Sequence, residues 1–128
     1  MITNEKPKKE QKKSITSKSA SQDYLTELLE SEYDWSHTNI RNLVPIGQYL
    51  KILKIAKTEF DINTLSPDDI RKILNEKFRI SKTVNTISMS LMDGLGKYVD
   101  RIRRGHEYHY RITLMGEERL GKLEEKSG

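Results

Sequence analysis

Cysteine is absent from this 128-residue chain, which excludes disulfides, thiolate metal sites and cysteine nucleophiles and leaves stability to packing. No apolar run approaches the roughly 18–20 residues of a membrane span, and the N-terminus lacks the apolar stretch of a secretory signal, so a soluble, intracellular protein of the cytoplasm or nucleoid is expected, without a membrane partner. Net charge carries little information about the body of the chain. The formal charge is +4, and the first twenty residues, with six lysines against Glu5 and Glu10, account for all of it. Any electrostatic argument must therefore rest on where the remaining charges sit.

At this length one compact domain and a tail are expected. Residues 1–20, rich in Lys and Ser and nearly without apolar side chains, cannot bury enough surface to offset the entropy of ordering and read as a disordered basic arm. A single domain then covers 21–128, with its core over 45–120. Ser21 reads as the cap of a first helix over roughly Gln22–Glu32, with Tyr24, Leu25, Leu28 and Leu29 on one stripe and an acidic opposite face from Asp23 to Asp34. Trp35, the only tryptophan, reads as a packing anchor.

Three further helices carry clearer signals. In PIGQYLKILKIAKTEF, Ile46, Tyr49, Leu50, Leu53, Ala56 and Phe60 recur at helical spacing opposite Lys51, Lys54 and Lys57, and Pro45 suits a first helical position. DINTL leaves room for a very short strand. SPDDIRKILNEKF has Ser66 as cap, Pro67 at the first position, Asp68 and Asp69 in the first turn, and Ile70, Ile73, Leu74 and Phe78 as the apolar stripe. A short link, Arg79-Ile80-Ser81, leads to SKTVNTISMSLMDGLG, where Val84, Ile87, Leu91 and Leu95 form the inner stripe and Gly94 or Gly96 ends the helix. Lys82, Asn85, Thr86, Met89, Ser90 and Asp93 form its outer face.

KYVDRIRRGHEYHYRIT alternates with a period of two on both sides of Gly105 and reads as a hairpin. Pairing Ile102 with Tyr108 and Asp100 with Tyr110 puts Tyr98, Ile102, Tyr108, Tyr110 and Ile112 on a buried face, with Val99, Arg101, Arg103, Glu107, His109 and Arg111 on the other. A terminal helix follows, with Thr113 as a candidate cap and Leu120 and Leu123 facing inward or toward a partner. The fold class expected is mainly α with a C-terminal β-hairpin.

The pair SPDDIRKILNEKF and TVNTISMSLMDGLG, the RIS link, and KYVDRIRRGHEYHYRIT running into TLMGEERL together resemble a winged helix-turn-helix. Tyr110, Ile112, Thr113, Gly116 and Leu120 resemble the segment that ends the wing in regulators of the MarR and PadR type. The resemblance implies a helix in a DNA major groove and a hairpin along the backbone or minor groove. On that basis the candidate DNA-binding residues are Lys82, Asn85, Thr86, Met89 and Ser90 on the helix, with Arg101, Arg103, Arg104 and His106 on the hairpin. Asn85 suits adenine, Lys82 guanine or phosphate, and Met89 a thymine methyl. From Arg71 to Arg111 ten basic residues stand against four acidic ones, so the neutral body is polarised, with this motif basic and the first helix acidic.

Double-stranded DNA is thus the expected partner, with a transcription regulator, plausibly homodimeric, as the expected role. The alternative is a winged-helix protein-interaction module, for which the acidic strip of the first helix is the best argument. Catalysis is the least expected class, and no cofactor or metal is called for. His106 and His109 flank Glu107 but point to different faces of a hairpin, and Gly94-Leu95-Gly96-Lys97 lacks the spacing and following Ser/Thr of a phosphate loop.

Overall fold

A computed structural model describes residues 17–127 of the chain. The N-terminal arm expected to be disordered lies outside the described residues as far as residue 16. The chain divides into two compact units, with the boundary in the sequence between Ser31 and Glu32.

In the first unit, helix α1 spans Ser17–Glu30. It therefore starts before Gln22 and takes in Ser17 to Ala20, and Ser21 lies within the helix instead of capping it. No Gly or Pro interrupts SKSASQDYLTELLE, so nothing in the backbone forces a later start. Leu25 and Leu28 are its buried positions, and Ser31 Oγ donates to the Leu28 carbonyl at 2.9 Å near its end.

The second unit is mainly helical with a C-terminal hairpin. Two 3-10 turns, Trp35–His37 and Ile40–Asn42, lead into α2 (Pro45–Phe60), α3 (Pro67–Phe78), α4 (Val84–Asp93), β1 (Val99–Arg104), β2 (Glu107–Ile112) and α5 (Leu114–Ser127). Trp35 is the anchor its composition suggests. Its ring stacks on Phe60 at 6.1 Å and meets Tyr33 and Phe78 edge-on at 5.1 and 5.8 Å.

Helix α2 is the hub, touching α3, α4, α5, β2 and the second 3-10 turn. Ile52 and Ile55 are buried with Tyr49, Leu50, Leu53 and Ala56, so the helix is covered over a wider arc than a single stripe. Helix α5 packs on a different side, that of Gly47, Lys51 and Lys57. Leu123 packs over Gly47, and Lys51–Glu124 (2.6 Å) and Lys57–Glu117 (3.0 Å) tie the two helices. Leu120 and Leu123 thus face inward.

Helix α3 forms as its first four residues dictate. Ser66 Oγ accepts from the Asp69 amide at 3.1 Å, and the Asp69 carboxylate accepts from the Ser66 amide at 3.0 Å, a reciprocal capping box. Ser66→Ala is expected to cost about 1 kcal/mol, read as a lower urea midpoint at unchanged m. Burial pushes the Asp69 carboxyl above the ordinary carboxylate range, although the Ser66 amide and nearby His109 pull the other way. A carboxyl with a raised folded pKa contributes stability below its unfolded value, about 3.9, and that contribution is lost as pH rises through the folded value. Asp69→Asn keeps an acceptor for the Ser66 amide, and relative to the parent it should gain stability as pH rises above about 4, as urea unfolding at several pH values would record.

At the far end of α3, Arg79 adopts φ 57°, and its amide and that of Ile80 return to the carbonyls of Asn75 and Leu74. Arg41 also donates to the Phe78 carbonyl there. No helix among the described residues is long and apolar enough to cross a membrane.

The hairpin exists where the alternation placed it, but its register is one residue from that expected. Arg104 pairs with Glu107, Arg103 with Tyr108, Ile102 with His109, Arg101 with Tyr110 and Val99 with Ile112. Gly105, at φ 61°, and His106 form a two-residue loop with glycine first, the geometry of a tight hairpin turn. That loop sets the register, and a one-residue shift exchanges the faces. Val99, not Ile102, joins Tyr110 and Ile112 in the core, while Ile102 is 43% exposed and Tyr108 also lies at the surface. DINTL supplies a single bridge residue, Leu65, which exchanges both backbone hydrogen bonds with Tyr110 at 2.9 and 2.7 Å.

Candidate nucleic-acid interface

Helix α4 begins later than the periodicity of SKTVNTISMSLMDGLG suggests. Thr83 is its cap, accepting from the Thr86 amide at 3.0 Å, so Lys82 lies in the link before the helix and not on its outer face. Only Ile87 and Leu91 are fully inward; Val84 and Leu95 are partly exposed at the two ends. The link between α3 and α4 accordingly runs from Arg79 to Thr83.

At 100° per residue, the row opposite Ile87 and Leu91 is Asn85, Met89 and Asp93, flanked by Thr86 and Met92. All five are exposed. Thr86 is already engaged, receiving a hydrogen bond from the Thr83 hydroxyl at 2.9 Å. The Asn85 amide rests against Met89 Sδ at 3.6 Å, which sets these two side chains next to one another. Ser90 stands at the edge of this face, half-buried.

A tight turn carries the chain from α4 to the hairpin. The Gly94 carbonyl accepts from the amides of Lys97, Tyr98 and Val99, and Gly96 at φ 79° returns its own amide to the Val99 carbonyl. Gly94 is therefore the helix cap. With its three bonds it aims β1 directly out of the end of α4.

The hairpin's arginines are split between two faces. Arg101 and Arg103 share one with Tyr108, while Arg104 shares the other with Ile102 and His109, and His106 sits in the turn. The Arg101 guanidinium lies 3.7 Å from the centre of the Tyr108 ring and that of Arg103 lies 5.4 Å from it, so both cations lean on one aromatic face. Arg101 Nη1 also donates to Tyr110 Oη at 3.3 Å, and Arg103 Nε to the Gly105 carbonyl at 3.1 Å. Tyr108 as a platform was hidden by the register expected from alternation alone. The Gly-His loop, with glycine in the first central position, is the signal that points to it.

Charge pairing separates these arginines from Arg71, Lys72 and Arg111. Arg71 and Lys72 both meet Asp68, at 2.8 and 3.4 Å, and Arg111 meets Asp100 at 3.6 Å. The Asp68 carboxyl is accordingly lowered: burial pushes it up, but the Arg71 hydrogen bond and the charges of Lys72 and Arg71 outweigh it. Arg104 faces Glu107 across the ladder, yet the Glu107 carboxylate turns to His109 Nε2 at 3.3 Å. Among the described residues, no ion pair involves Lys82, Arg101, Arg103 or Arg104.

Comparison with protein-family models, with curated proteins and with solved structures yields no match for this chain. Its chemistry must be read from its own side chains. The sequence-selected residues fall into three places: Asn85, Thr86, Met89 and Ser90 on α4, Lys82 in the link ahead of it, and Arg101, Arg103, Arg104 and His106 on the hairpin. Met92 and Tyr108 belong with them and are absent from the sequence-based set. Among the described residues, no group of three or more His, Cys, Asp or Glu side chains is placed to hold a metal ion.

Proposed function

We propose that this chain is a winged-helix protein that binds double-stranded DNA, with α4 entering the major groove and the β1–β2 hairpin acting as the wing, in the role of a transcription regulator. The observation that carries this reading is the set of hairpin arginines without carboxylate partners, Arg103 and Arg104 exposed and Arg101 half-buried, immediately after a helix whose outer face bears an amide, a hydroxyl and thioethers. Arginines left unpaired in water keep their charge for phosphates, whereas Arg71 and Lys72 of α3 already share the Asp68 carboxylate. A guanidinium resting on an aromatic ring keeps its outward N–H groups for a ligand and loses less freedom on binding.

The test is duplex binding by the full chain as a function of salt. Log K should fall linearly with log salt, with a slope of about −0.9 for each phosphate contacted. A flat line, or no binding at low salt, would sink the proposal. A homodimer fits the usual pairing of half-sites. Its assembly surface is not α5's apolar stripe, which α2 already covers.

A second reading, docking of another protein on the same surface, draws on the exposure of Met89 and Met92. It predicts a stable complex that survives nuclease treatment and retains no DNA.

A further inference from the structure

The exposed face of α4 is unusual for a groove-reading helix in what it omits. From Thr83 to Gly96 there is no arginine or lysine, and Lys82 stands ahead of the Thr83 cap. Guanine is read in the major groove chiefly by an arginine or lysine that donates to O6 and N7, so the helix itself carries no such reader. What it offers is the Asn85 amide, the Thr86 and Ser90 hydroxyls and two thioethers. Asn85 has the donor and acceptor that match adenine N6 and N7. Met89 and Met92, 60% and 53% exposed, each hold an apolar methyl and sulfur in water on the same side. A thymine C5-methyl is the apolar feature a major groove presents. The contact between Asn85 Nδ2 and Met89 Sδ places the adenine-type group and the methyl-type group side by side.

We infer that α4 reads A·T base pairs, with Asn85 taking adenine and Met89 and Met92 packing on thymine methyls. The inference rests on the proposal that the chain binds duplex DNA, and deepens it by naming the base pairs selected. Asp93, on the same row toward the C-terminal end, repels phosphate and takes no part in reading A·T. Sequence choice then belongs to α4, and affinity to the hairpin arginines and Lys82.

Replacing thymine by deoxyuridine removes the methyl from the major groove while leaving base pairing and charge intact, so it isolates this contact from any preference of the hairpin for a narrow minor groove. Binding of the full chain would be measured at one fixed low salt concentration to an A·T-only 20-base-pair duplex, the same duplex with every thymine replaced by deoxyuridine, and a G·C-only duplex of equal length. The A·T duplex should be preferred over the G·C duplex. Deoxyuridine should weaken binding by about fourfold for each methyl contacted. Met89→Ala combined with Met92→Ala, on an exposed face where folding is unaffected, should abolish the difference between thymine and deoxyuridine, and Asn85→Ala should narrow the preference for A·T over G·C. Equal binding of the parent chain to thymine and deoxyuridine duplexes overturns the inference and leaves DNA binding standing. No binding to any of the three overturns both, and leaves the methionines to a protein partner.

Discussion

Gly116→Ala is expected to destabilise the protein by about 3 kcal/mol, the upper end of what overpacking a filled site costs. A Cβ at this position would lie 2.2 Å from the Tyr98 carbonyl oxygen and 2.8 Å from Ile112 Cγ1. The carbonyl cannot retreat freely, because it accepts the Thr113 amide at 3.1 Å just before α5 starts. Thr113 is itself pinned: its hydroxyl donates to the Lys97 carbonyl at 2.6 Å and accepts from the Gly116 amide at 3.0 Å. These bonds explain in physical terms why Thr and Gly stand three apart at this junction. Threonine caps the helix, and glycine lets the helix's first turn lie against the turn that precedes β1. Urea unfolding should show a lower midpoint for Gly116→Ala at an unchanged m. In the same helix, nothing lies within 4 Å of a Cβ at Gly121, so Gly121→Ala should instead stabilise by about 0.5–1 kcal/mol. Equal effects at the two positions would contradict the close approach to Tyr98.

Removing Arg101, Arg103 and Arg104 together should lower the slope of log K against log salt by up to about three, roughly 0.9 for each phosphate no longer bound. The weakening should be nearly uniform across DNA sequences, since phosphate contacts carry no base information. Folding should be little affected, at most about 0.5 kcal/mol per site, because none of the three lies in the core or joins an ion pair. Lys51→Ala and Lys57→Ala serve as controls. Both lysines are tied to α5 by Glu124 and Glu117, and each change should leave the slope untouched. Anisotropy titrations of one labelled duplex between about 50 and 200 mM salt would measure all of these. An unchanged slope for the triple variant would place the phosphate contacts elsewhere, with Lys82 the next cation to remove.

Of the candidate site, the residues on α4 were legible, because an outer face follows from helical periodicity once two inward positions are known. Ile87 and Leu91 suffice for that. Lys82 was misplaced because the periodicity of SKTVNTISMSLMDGLG does not show which threonine or serine caps it. The hairpin's arginines were legible as residues but not as a geometry. Alternation holds equally well in either register, and pairing Ile102 with Tyr108 buried Tyr108 when its ring in fact supports Arg101 and Arg103.

By itself the sequence determined the elements whose signals lie within a few residues of one another: α3 through Ser66, Pro67 and Asp69, the start of α5 through Thr113, and a hairpin around Gly105. Each of these depends on hydrogen bonds or steric limits that a short peptide already contains. Only the tertiary structure decided the register, the wide burial of α2, the packing of α5 on its lysine side, and which cations remain unpaired. Those outcomes depend on partners far apart in the chain: Leu65 with Tyr110, Lys51 with Glu124, and Arg41 with the end of α3. Local periodicity is blind to such pairings, because a strand shifted by one residue or a helix covered on its lysine side keeps the same local pattern.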